Sequence, residues 1–343
     1  MPSSPPAPPP ASDRAAGRGT AVATRRATQA LKLFGALLGL GLSAWTVARL
    51  GPGELARALA PAAAALPLCL ACELAKIGCE TLATRHALGP VSARVPLRRL
   101  YLIHLVTYGV GQVFPLPRPA AEATKAALLY PYGVPPAAAA ASGASLQTAT
   151  FVSVGALSLA CAAFVRASAE VPLRALLVGN GAGLIALGVG LRALVRSARV
   201  IGWLGRRWPR LAGPLGRFRD ESARGPLLAP LPSALLAVGM LFNVLELGAI
   251  ARAVGASSHP SAAFAAFGAQ LVAATAAVFV PGQLGAREAA FSLSADALGT
   301  TPLLAGTISI VAHAVQLGLS AVSFVVLLAL LAVRVGRVPR PEA

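Results

Sequence analysis

Pro281-Gly282-Gln283-Leu284-Gly285-Ala286-Arg287-Glu288 interrupts a long apolar run and reopens it on an adjacent base and acid. Upstream, Pro115-Leu116-Pro117-Arg118-Pro119-Ala120-Ala121-Glu122-Ala123-Thr124-Lys125 does the same. Proline removes a backbone donor and biases the residue before it away from helix, so each stretch breaks the helix that carries it. Irregular backbone at membrane depth is tolerated only where it is buried in protein or lines a wet cavity. Two such breaks in matching places of two halves are a sequence pointer to a transporter's binding site.

The surroundings of both breaks are membrane-like. Hydrophobic residues make up 56% of the 343-residue chain and charged residues 12%. A soluble domain carries about twice that charged fraction. Apolar runs close to the ~20-residue spanning length recur throughout, which predicts an all-α polytopic membrane protein. The formal net charge of +18 fits basic loops that set orientation and touch anionic headgroups, rather than nucleic-acid binding. Cys69-x-x-Cys72 lies inside an apolar segment with no second cysteine pair and no nearby histidine, so these cysteines read as packing residues. No cofactor and no metal are expected.

Residues 1–27, rich in Pro and Ala with four arginines, read as a basic cytoplasmic tail without a fold. A transmembrane domain spans 28–335, and 336–343 form a short C-terminal tail. Eight apolar segments fall near 30–49, 61–84, 100–117, 137–165, 172–192, 229–252, 262–281 and 302–333. If all eight cross, the Arg-rich 192–228 loop lies outside, against the positive-inside rule. Parity is repaired if the third and seventh enter and return without crossing, and these two end in the broken motifs. The expectation is 6–8 transmembrane helices with two re-entrant segments, one dipping from each side, in the geometry of an inverted repeat. The N-terminus, the 192–228 loop and the C-terminus are then cytoplasmic.

Ionisable residues inside spans usually face a partner or a cavity. Glu73, Lys76 and Glu80 share one helical face. They form either a self-neutralised packing stripe or a coupling site. Glu246 lies one turn from Asn243, and His313 one turn from Gln316, while His104 sits near Thr107 and Tyr108. Glu246 and His313 join the coupling candidates. In the upstream break, Arg118, Glu122 and Lys125 fall on one face of a short helix behind three prolines, an outline anion site. In the downstream break, Pro281, Gly282 and Gly285 allow close backbone approach, and Arg287 and Glu288 open the next helix.

Residues 281–290, Pro-Gly-Gln-Leu-Gly-Ala-Arg-Glu-Ala-Ala, resemble the Pro-Gly-Gly-x-Gly-x-x-Glu-Ala signature of the lysylphosphatidylglycerol synthase transmembrane region. Pro115 to Arg118 with Glu122 and Lys125 is similar to that family's Pro-x-Arg-x-Gly-Glu/Asp-x-x-Arg element, as are Leu128-Leu129 and Gly133-Val134. The resemblance covers about 30–333. Ala121 and Lys125 replace the family's Gly and Arg, and Leu146-Gln147-Thr148 stands where an acid and an Arg are expected. A lysine offers a point charge instead of a bidentate fork. The resemblance implies re-entrant helices and movement of a lipid across the bilayer. The expected cavity is lined by Arg118, Glu122 and Lys125 from one break and by Arg287 and Glu288 from the other; the bases would hold a phosphate, and the acids would orient those bases or contact a cationic or hydroxylated headgroup. The soluble synthase domain of fused family members is not found in this sequence, so the expectation is a non-enzymatic, flippase-like protein of the cell membrane. Its partner would be the bilayer and an anionic phospholipid or polyprenyl-phosphate-type lipid. A lipid-linked glycosyl or aminoacyl transferase and a non-transporting membrane partner are the alternatives.

Overall fold

The computed structural model describes residues 60–114, 117–165, 173–256, 259–276 and 286–335, with Gly53, Arg57 and Gln283. The expected first span at 30–49, both tails, and Pro281, Gly282 and Gly285 lie outside the described residues. The described residues are helical and contain no strand. The helices are α1 Leu66–Leu88, α2 Leu97–Val113, α3 Pro117–Leu129, α4 Pro136–Phe164, α5 Leu173–Arg196, α6 Ala198–Arg207, α7 Ala212–Arg224, α8 Pro230–Ala253, α9 Pro260–Ala276, α10 Ala286–Leu293, α11 Ala295–Leu298 and α12 Pro302–Val335. Five of them start on a proline, whose fixed φ suits the first helical position and whose missing N–H has no intrahelical role there.

Among the described residues, five helical stretches are long and apolar enough to cross a membrane: Ala60–Arg94, Pro136–Phe164, Leu173–Arg196, Pro230–Ala253 and Pro302–Ala332. The chain is a multi-pass membrane protein. The two segments singled out by parity are different. Helix α2 has 17 residues and ends at Val113, about 25 Å of helix against a hydrocarbon core of about 30 Å. It stops short of the expected end at 117, whereas the residues that follow Ala276 of α9 lie outside the described residues. A short helix packs against each of the two, α3 on α2 and α10 on α9. Arg94 precedes α2, and its Nη1 donates to the Gly133 carbonyl oxygen, just past α3, at 2.7 Å. The start and finish of the α2–α3 hairpin therefore lie at one face of the bundle.

Packing repeats itself between two quartets, α1–α4 and the set α8, α9, α10 and α12. Helix α1 lies along α8. The α2–α12 contact is matched by α9–α4, α3–α4 by α10–α12, and α1–α2 by α8–α9. Small residues permit the closest approaches. A Cβ at Gly155 in α4 would lie 2.7 Å from the Gly181 carbonyl of α5, and one at Gly109 in α2 would lie 2.7 Å from Ser323 Cβ in α12. Backbones that approach this closely gain contact where lipid supplies no hydrophobic drive between helices. Helix α5 turns Leu176, Val178, Leu187, Leu191 and Leu194 outward, as a lipid-facing span requires.

Two apolar clusters flank the centre. One gathers Cys69, Cys161, Leu247, Ile250, Phe267, Phe291 and Ile308. The other gathers Leu100, Val106, Val110, Leu128, Leu129 and Phe324. Between them runs a polar seam along α1.

Candidate functional site

The seam is built on α1. Spacings of three and four put Glu73, Lys76 and Glu80 on one face. Glu73 is fully buried. Its Oε2 accepts from Lys76 Nζ at 3.3 Å and its Oε1 from Gln316 Nε2 of α12 at 3.0 Å. Lys76 thus hydrogen-bonds Glu73, with Glu80 in its wider electrostatic surroundings. The ammonium also sits 5.5 Å over the Tyr108 ring of α2, a cation–π contact. The Tyr108 hydroxyl lies near Glu73 without a well-formed hydrogen bond.

Arg287 comes to the same place from α10 and is 4% exposed. Its Nη1 donates to Gln316 Oε1 at 2.7 Å and its Nη2 to Gln270 Oε1 of α9 at 2.8 Å. Gln316 is thus a bridge: it accepts from the guanidinium and donates to Glu73. Glu246 of α8, 1% exposed, faces Glu73 and lies in the field of Arg287. Two acids, Glu73 and Glu246, thus face two bases, Lys76 and Arg287, whose formal charges match. Burying an unbalanced charge in so dry a place would cost several kcal/mol.

Four buried polar atoms around this cluster have no hydrogen-bond partner: Arg287 Nε, Glu246 Oε1, Asn243 Oδ1 and Tyr108 OH. Most buried polar atoms in folded proteins are paired. A concentration of unpaired donors and acceptors at one point suits a polar ligand group.

At the other end of the seam, Glu80 Oε2 lies 3.9 Å from His104 Nδ1 of α2, and Lys125 and Arg118 are in His104's electrostatic surroundings. Lys125 is 5% exposed and donates to Glu122 Oε1 at 2.7 Å. The Glu122 carboxylate rests on Gly143 of α4, where a Cβ would lie 2.6 Å from its Oε2. Arg118 is exposed on the first turn of α3. Beside the Arg287 cluster, Glu288 Oε1 sits 3.5 Å from His313 Nδ1 and accepts from Ser309 Oγ at 3.4 Å.

The expected cavity draws residues from both motifs. Among the described residues, α3 and α10 share no extended contact. They are joined through α1, whose charged face reaches Arg287 at Glu73 and the α3 end at Glu80. Seven residues of helix separate those carboxylates, about 10 Å along the axis. Sequence reasoning overlooked Gln270 and Ser309. Gln270 is the only amide in α9, a signal that a search confined to ionisable groups passes over.

The chain matches the family described as Lysylphosphatidylglycerol synthase TM region over residues 32–333. No curated protein and no solved structure matches it.

Proposed function

This chain belongs to the lysylphosphatidylglycerol synthase transmembrane-region family, and from that premise we propose that it binds an anionic phospholipid or polyprenyl-phosphate-type lipid and carries it across the cell membrane. Membership makes it a membrane protein linked to lipid metabolism or transport. The finer reading rests on one observation. Arg287 is buried, yet its direct partners are the neutral amide oxygens of Gln270 and Gln316, and its Nε is unpartnered. Among the described residues no carboxylate forms an ion pair with it. Amides are weaker acceptors than an oxyanion, which takes charge-assisted bonds from a guanidinium in a bidentate fork. A lipid phosphate entering here would exchange two neutral acceptors for a charged one.

The hairpins supply the route. Helix α2 is too short to cross and α3 packs against it, and α10 packs likewise against α9, which supports re-entrance. With neither hairpin crossing, α1, α4 and α5 put the second quartet into the membrane in the reverse sense, an inverted repeat with the cluster at its centre. The 192–228 loop and the C-terminus then face the cytoplasm. Lys125, held by Glu122, is a second phosphate contact on the cytoplasmic hairpin. The function is non-enzymatic in this reading. Fluorescent phosphatidylglycerol in proteoliposomes tests it: protein-dependent loss of the inner-leaflet signal to an external quencher supports translocation. No loss, or chemical conversion of the lipid on thin-layer analysis, rules it out.

A further inference from the structure

The cluster holds two buried carboxylates, and the phosphate reading gives them no task beyond balance. Their surroundings say what happens when a phosphate arrives. From α1, Lys76 bonds Glu73, Glu80 lies beyond it, and Cys69 and Cys72 face Glu246. From α2 comes Tyr108, and from α10 comes Arg287 with Glu288 next to it. From α12, Gln316 bonds Glu73, while His313 is turned to Glu288. Only two of these groups, Lys76 and Arg287, are cations set against Glu73 and Glu246. A phosphate diester that takes Arg287 as its counter-ion leaves two carboxylates, 0% and 1% exposed, facing Lys76 alone. One surplus negative charge at that depth is intolerable in ionised form, and a buried carboxylate in that position takes up a proton instead.

We propose that the buried pair Glu73–Glu246 is a proton site coupled to the lipid site, so that each anionic lipid bound at Arg287 brings one proton onto the pair. The pair's free atom, Glu246 Oε1, has no partner and is open to a hydrogen. The charge then balances again: one phosphate, one remaining carboxylate, Lys76 and Arg287. The loaded cluster is as neutral as the empty one, so lipid and proton cross together without moving net charge through the core. The acid–base run Glu80–His104–Lys125, joined by the 3.9 Å Glu80–His104 approach, gives the proton a polar track between the pair and the α3 hairpin. Binding linkage is reciprocal: a lipid that loads the pair with a proton binds more tightly where protons are plentiful.

The inference rests on the phosphate reading, and one titration separates the two. The full chain in detergent is titrated with dioleoylphosphatidylglycerol, with dioleoylphosphatidylcholine as the neutral-headgroup control. Binding is read by tryptophan fluorescence, and proton uptake by a pH dye in weak buffer. The expected result is saturable phosphatidylglycerol binding with about one proton taken up per lipid, and affinity that falls about tenfold per pH unit above the pair's titration. Glu246→Gln is expected to bind lipid with no uptake and a flat pH profile. Saturable binding without uptake by the wild-type chain overturns the proton site and leaves the phosphate site standing. Uptake that persists in both Glu246→Gln and Glu73→Gln overturns the assignment to this pair. Absence of phosphatidylglycerol binding overturns both readings. The wild-type measurement decides the matter even if a variant fails to fold.

Discussion

Arg287→Gln tests whether the central cluster is one electrostatic unit. The guanidinium donates at 2.7 Å to Gln316 and at 2.8 Å to Gln270. A glutamine at 287 is too short to reach both. Hydrogen bonds to a charged group are each worth about 1.5–3 kcal/mol, so losing two costs about 3–6 kcal/mol. Part of that cost is the surplus negative charge left on Glu73 and Glu246, which face Lys76 alone once Arg287 is gone. Glu246→Gln in the same chain removes that surplus, because one acid then meets one base. The double variant is therefore expected to be more stable than the sum of the single effects by at least about 1 kcal/mol, as neighbours in one network are. Thermal unfolding of the four proteins in one detergent reads the cycle. Arg207→Ala, an exposed loop charge, should change stability by less than about 0.5 kcal/mol. If the two glutamine substitutions add within about 0.5 kcal/mol, the residues are not coupled and the reasoning fails. In vesicles, Arg287→Gln should also move phosphatidylglycerol at least about tenfold more slowly per folded molecule, since a loss of 1.4 kcal/mol in the transport step is already tenfold.

Lys125 is buried, so Lys125→Gln should lower translocation several-fold, while Lys125→Arg keeps or raises it by offering a two-pronged grip; equal rates for Gln and wild type remove Lys125 from the site. Gly143→Val should displace the Glu122 carboxylate, whose Oε2 lies 2.6 Å from an added Cβ, at a stability cost under about 1.5 kcal/mol because that carboxylate ends a flexible side chain; an unchanged transport rate shows that Glu122's position is irrelevant. A cysteine at Gly213, where nothing lies within 4 Å of an added Cβ, should react with an impermeant maleimide only in inside-out vesicles; labelling of intact cells refutes the cytoplasmic placement of the 192–228 loop.

Much of this protein was legible before any coordinates. Length and apolarity of the runs mark the spans, because a bilayer demands about 20 apolar residues whatever their neighbours. The charge parity of the loops separates the segments at 100–117 and 262–281 from the rest, and α2, at 17 residues, does fall short of a full span. The prolines and glycines at 115–119 and 281–285 mark expected breaks, since backbone rules are local. Spacing along one helix puts Glu73, Lys76 and Glu80 on a common face. Partners on other helices were a different matter. That Gln316 joins Arg287 to Glu73 across 243 residues of chain, that Gln270 takes the other guanidinium nitrogen, and that Glu246 faces Glu73 while Glu80 turns to His104 are results of how α1, α8, α9, α10 and α12 pack. Helical periodicity says which way a side chain points along its own helix. Which side chain meets it depends on rotation and depth between helices, and those are set by small-residue contacts such as Gly109 on Ser323, summed over the whole bundle.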